Sequence, residues 1–163
     1  MEPPPVAETR NRAVRVPRPR HPEETVAVTG DVEGERTVTP ADLRSHAHIS
    51  FTVQYSTTHS RELHSVEGVP LHRVLDVLVL RRDERRKMDH LSFAVLACSA
   101  DGYRVLLSWA EVSPEFGACA ALLATRYNGE LLRRPTLVLP NDARASRYVR
   151  DLSRLHVVRP NEG

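Results

Sequence analysis

Cysteine and lysine are nearly absent from this chain. Only Cys98 and Cys119 occur among 163 residues, and Lys87 is the single lysine. Both cysteines lie in apolar runs, 91–98 and 118–124, and they form no Cys-x-x-Cys pair. That pattern favours two reduced, buried thiols over a disulfide or a zinc site. Arginine therefore carries almost all the positive charge, a bias that reflects genomic base composition more often than a binding surface. No stretch approaches the roughly 20 apolar residues that span a bilayer, nor is there the apolar core of a signal peptide at the N-terminus. The expectation is a cytoplasmic protein without a membrane partner. Also missing are a Gly-x-Gly-x-x-Gly or Walker segment, so nucleotide binding has no support, and a Gly-x-Ser-x-Gly hydrolase elbow. Eight histidines are present, yet His46, His48, His59 and His64 match no zinc spacing, and no metal site is expected from them.

What is present suits one globular domain. Hydrophobic residues make up 40% and charged residues 27%, typical of a chain that buries a single core. Residues 1–22 stand apart, holding half of the 12 prolines and five arginines against two glutamates, a net of +3. With the whole chain at +2, the remainder is −1. A near-neutral body argues against a nucleic-acid partner, whose binder carries a basic face on the domain itself. Residues 1–22 read as a disordered Pro/Arg tail that buries too little apolar surface to offset its ordering entropy, and residues 23–160 as the domain.

The pattern within that domain is α+β, a mixed β-sheet with short helices. A short strand is expected over 25–32, then a helix start at Thr39-Pro40, with Thr39 as N-cap and Pro40 preset for the first helical turn. From His48 to Ser56, Ile49, Phe51, Val53 and Tyr55 alternate with polar residues, which predicts a strand with one buried face. Leu71, Val74, Leu75 and Leu78 share a helical face, and the charged run 81–87 after them reads as a solvated loop. Strands over 91–98 and 103–107 flank Ser99-Ala100-Asp101-Gly102, a hairpin turn. Ser108 and Glu111 form a capping-box pair, Asn128-Gly129 joins two further strands, and Leu155, Val157 and Val158 close the domain.

The segment 56–67 holds the densest polar chemistry. Ser56, Thr57, His59, Arg61 and His64 precede the tight Gly68-Val69-Pro70 entry to a helix. Hydroxyls, imidazoles and a guanidinium fork together suit a phosphate or a hydrogen-bonding pterin; the plainer reading is an exposed loop. Asp101 and Tyr103 divide in the same way between the turn's own hydrogen bonds and a ligand.

Four segments, Gly68-Val69-Pro70-Leu71, Asp101-Gly102-Tyr103, Pro140-Asn141-Asp142 and Arg147-Tyr148-Val149, in that order and spacing, resemble the molybdopterin-binding domain of the sulfite-oxidase type. The likeness runs from about Val26 to Val158. It implies a sulfite-oxidase middle-domain fold, mixed and barrel-like, with a molybdopterin cofactor held by Ser56, Thr57, His59, Arg61, His64, Asp101 and Tyr103. It also implies an Arg147 paired with a carboxylate, for which Asp142 is the candidate. The family's molybdenum-bound cysteine is missing: its position falls near Ser56, within Gln54–Ser60, which contains no thiol. The resemblance therefore implies a pterin-binding protein without competent molybdenum redox chemistry. Its alternatives are an oxidoreductase with a non-cysteine ligand, which would need a separate electron acceptor, and a scaffold of the same fold that binds a protein partner.

Overall fold

The alternating run at Ile49–Ser56 (β4) folds as its pattern dictates, with Val53 and Tyr55 buried and Ser50, Thr52 and Gln54 exposed. It belongs to a computed structural model that describes residues 24–46 and 48–161; the tail expected over 1–22 lies outside them. The segment after β4 departs from the expected loop. Only Thr57–Ser60 turns, and Arg61–Pro70 (β5) returns as a ten-residue strand in full register with β4, from Ser56 opposite Arg61 to Ile49 opposite Gly68. The polar composition concealed a strand whose first half alternates between exposed and half-buried positions. Its second half buries Val66, Gly68 and Val69.

Two further strands, Leu122–Tyr127 (β9) and Glu130–Val138 (β10), complete an antiparallel sheet of order β10-β9-β5-β4. Asn128 and Gly129 join them with φ values of 50° and 81°, the left-handed pair that a two-residue hairpin requires. Between Leu131 and Thr136 the β10 register shifts at Arg133-Arg134-Pro135, since proline cannot donate to the ladder.

A second sheet contains Val26–Gly30 (β1), Arg36–Val38 (β3), Ala94–Ser99 (β7), Arg104–Ser108 (β8) and Leu152–Val158 (β11), in the order β3-β1-β11-β7-β8. Only the β1–β11 pair is parallel. The expected β7–β8 hairpin forms, though β7 begins at Ala94 because Asp89–Ser92 winds into a 3₁₀ turn. Val32–Glu33 (β2) and Val79–Leu80 (β6) make a small third sheet. The sheets share no strand, so among the described residues the architecture is α+β with open sheets, and the barrel-like closure does not occur.

Helices are short. Pro40–Arg44 (α1) and Trp109–Val112 (α3) are each opened by a capping box, Thr39 with Asp42 and Ser108 with Glu111. Leu71–Leu75 (α2) stops one turn before the expected end. The Leu78 N–H bonds back to Leu75, and the chain then leaves into β6. One core joins these layers; Leu43, Leu71, Phe93, Leu107, Leu122 and Leu155 are all buried to 1% exposure or less. Among the described residues no helix is long and apolar enough to cross a membrane.

Candidate functional site: an arginine and tyrosine cleft

Three of the four segments singled out in the sequence meet at one end of the fold. The chain from Leu139 to Asp151 runs between the two sheets, fixed to β10 by paired backbone bonds between Leu137 and Val149. On one side the Ser56 N–H donates to Ala143 O at 2.9 Å. On the other, the Ala100 N–H donates to Asp151 O at 3.0 Å, and the Tyr103 hydroxyl donates to Ser146 O. The Gly68-Val69-Pro70 segment lies apart, buried against β9, where a Cβ on Gly68 would run into the backbone of Leu123 and Ala124.

Arg147 pins this segment. Its Nε and Nη2 donate to the two oxygens of Asp142, both at 2.8 Å, and Nη1 donates to Glu111 Oε1 at 2.6 Å. Asp142 is thus the carboxylate partner expected from the sequence, and Glu111 a second one. Burial pushes the Glu111 carboxyl up, but the Arg147 guanidinium and the Ser108 N–H outweigh it and hold the group below its ordinary value. The bonds to Asp142, and then to Glu111, raise Arg147 above an already high value, so it stays charged.

Beside this segment opens a cleft of about 690 Å3, lined by His64, Tyr127, Asn128, Arg134, Arg150 and neighbouring residues of β10. His64 is held on both ring nitrogens. Asn128 Oδ1 accepts from the Ser65 N–H, which aims its amide N–H at His64 Nδ1 (2.8 Å) and leaves Nε2–H to donate to Glu62 at 3.0 Å. The His64 bond, and then the Tyr55 hydroxyl, lower the Glu62 carboxyl. The imidazole stacks on Tyr55 at 5.4 Å and tilts against Tyr127 at 5.2 Å, while Tyr148 meets Tyr55 edge-on at 5.4 Å.

Buried polar groups are normally paired, and every side-chain exception among the described residues belongs to this cluster. The unpartnered atoms are the hydroxyls of Tyr127 and Tyr148 and Nε of Arg134. Tyr55 approaches Tyr127 without the geometry of a hydrogen bond; burial first, and Tyr55 second, push the Tyr127 phenol above its ordinary range. Burial likewise pushes Tyr148 up to about 12. Both phenols are therefore neutral donors at physiological pH. Arg134 is only 16% exposed and reaches Asp151 at a long 3.4 Å. Arg150 makes no hydrogen bond or ion pair among the described residues, and its charge faces Glu62 and Tyr127. A larger hollow, of about 870 Å3 beside β6 and α2, mixes Glu33, Asp76 and Glu84 with Arg81 and Arg82 and has no buried unpartnered group among its lining residues.

The residues chosen from sequence fall around the cleft unevenly. His64 lines it. Ser56, His59 and Arg61 are exposed at the β4–β5 turn, and the Thr57 hydroxyl closes that turn by accepting from the N–H groups of His59 and Ser60. Asp101 accepts from the Tyr103 N–H at 3.1 Å and so serves its own turn, a bond that also lowers its carboxyl. Tyr103 is 48% exposed and tied to the 139–151 segment. Sequence reasoning missed Arg134 and Tyr127. The signal for Arg134 was the Arg133-Arg134-Pro135 interruption of β10, and Tyr127 had only its place before the Asn128-Gly129 turn. No thiol lines the cleft: Cys98 is buried in β7 with its Sγ toward Leu96 O, and Cys119, half-buried instead of buried as expected, lies near Glu111 and Arg147.

No family model matches this chain, and no curated protein matches it. Among solved structures it is similar to the sulfane dehydrogenase SoxCD from Paracoccus pantotrophus, with a TM-score of 0.65 and 17% identity over 83% of this chain. The match covers 38% of that chain, so this sequence spans well under half of its length. At that identity the likeness establishes a shared fold alone.

Proposed function

We propose that this domain binds a pterin cofactor of the molybdopterin type and has lost the metal ligand on which redox catalysis in such enzymes depends. The observation that carries the reading is that two of the three orphaned buried donors, on Tyr127 and Arg134, belong to residues lining a cleft that also holds Arg150, while the third, Tyr148, packs behind it against Tyr55. Neutral phenols and guanidinium forks suit an anionic, heteroatom-rich group such as the phosphate and ring edge of a pterin. The sulfite-oxidase-like segments support the same ligand class, on a fold shared with a sulfane dehydrogenase.

The donor set fits the organic part of the cofactor and not the metal. A thiolate is absent from the cleft lining, and Ser56, near the family's ligand position, offers an exposed neutral hydroxyl. In enzymes of the sulfite-oxidase type the bound cofactor supplies the redox centre. Here the chain's own contribution is to grip and orient: Arg134 and Arg150 supply charge, Tyr127 supplies a donor, and the Asn128–His64–Glu62 chain fixes one wall.

The test is to purify the protein from a cofactor-producing host and measure released oxidised pterin by fluorescence, with molybdenum by elemental analysis. Pterin without stoichiometric metal is the expected result. Stoichiometric metal would restore an oxidoreductase with a different ligand, and the absence of both would leave a scaffold for a protein partner. Arg134→Gln should lower pterin retention by about tenfold, the effect of one lost charge-assisted hydrogen bond.

A further inference from the structure

We propose that the edge of β4 left unpaired by the described strands is a strand-addition site occupied by a second copy of this chain. The turn bond from the Thr57 N–H to Ser60 O sets the phase of the β4–β5 ladder, so the backbone groups of Ser50, Thr52, Gln54 and Ser56 point away from β5. Ser56 agrees with that phase, since its N–H donates outward to Ala143 O. No described residue bonds the outward backbone groups of Ser50, Thr52 and Gln54.

The other edges of the two large sheets are guarded. β3 has three residues and carries Arg36; β8 carries Arg104 and runs directly into α3; β10 has a register shift, two arginines and a proline. Such charges, bulges and prolines keep an edge from pairing with another chain. β4 has eight residues, with no charge, no proline and an unbroken register with β5.

Its side chains favour its own copy as the partner. In an antiparallel pair about a dyad at Thr52, each Thr52 faces the other and Ser50 faces the second copy's Gln54. Neutral groups that both donate and accept are self-complementary across such a dyad, and no like charges oppose. Phe51, half-buried at the edge of the core, gains cover from the second copy. The pairing supplies about six backbone hydrogen bonds over a small area, which describes a weak, concentration-dependent dimer.

Sedimentation equilibrium from micromolar to millimolar protein should show a monomer–dimer equilibrium, and Thr52→Lys should weaken it about tenfold or more by opposing two charges at the dyad. Thr37→Lys, on the guarded β3 edge, should leave it unchanged, and Thr52→Cys should form an intermolecular disulfide under mild oxidation. A monomer throughout the range overturns the proposal, as does a dimer indifferent to Thr52→Lys. A monomer whose Thr52 and Gln54 amides exchange slowly overturns it in favour of an edge covered by residues 1–23.

Discussion

Replacing Arg147 with alanine tests whether the 139–151 segment is held chiefly by one guanidinium. The side chain makes three charge-assisted bonds, two to Asp142 and one to Glu111. Such bonds are worth about 1.5–3 kcal/mol each when buried. Here Arg147 is 39% exposed, Glu111 32% and Asp142 23%, so solvent screening removes much of that sum. A net cost of about 2 kcal/mol follows, or roughly 6 °C in the unfolding midpoint of a domain this size. Denaturant unfolding and calorimetry provide the assay, and Arg147→Lys, which keeps the charge but loses the fork, should recover less than half. A double-mutant cycle with Glu111→Gln should give a coupling of about 1 kcal/mol, because the two groups share a bond. A stability within about 0.5 kcal/mol of the parent for Arg147→Ala would show that the backbone bonds at Leu137, Val149 and Ser56 suffice, and would refute the reasoning.

Gly68→Ala places a Cβ against the Leu123 carbonyl and the Ala124 Cα, backbone that cannot yield within the sheet, and should cost about 2–4 kcal/mol or prevent folding; wild-type unfolding would show that β5 can shift. Glu111 has a lowered folded-state value, so its contribution is complete above the ordinary carboxylate range and is lost as pH falls through that range to the folded value. Stability measured from neutral to acid pH should therefore decline less steeply in Glu111→Gln than in the parent. Arg61→Ala should leave pterin retention unchanged where Arg134→Gln lowers it, since Arg61 is exposed at the hairpin end; the reverse ranking would move the ligand to the β4–β5 turn.

The sequence by itself determined the elements whose causes are neighbours in the chain. The boxes at Thr39 and Ser108, the Asn128-Gly129 turn, the hairpin across Asp101-Gly102 and the alternation of β4 each depend on residues within a few positions, and each formed where expected. Tertiary structure decided the rest. Arg61–Ser65 is too polar to announce a strand, and it becomes one because β4 pairs with it residue for residue while β9 anchors the following Val66–Pro70 half of β5. Leu78 has the spacing to extend α2, yet it is buried in the core from outside the helix, since the chain must turn there to pair β6 with β2. The cleft itself was illegible. His64, Tyr127, Arg134 and Arg150 come from separate parts of the chain, and only tertiary packing brings them to one cleft and leaves the Tyr127 and Arg134 donors buried without partners. Local periodicity reports which face a residue takes, whereas a binding site arises from which faces long-range packing brings together.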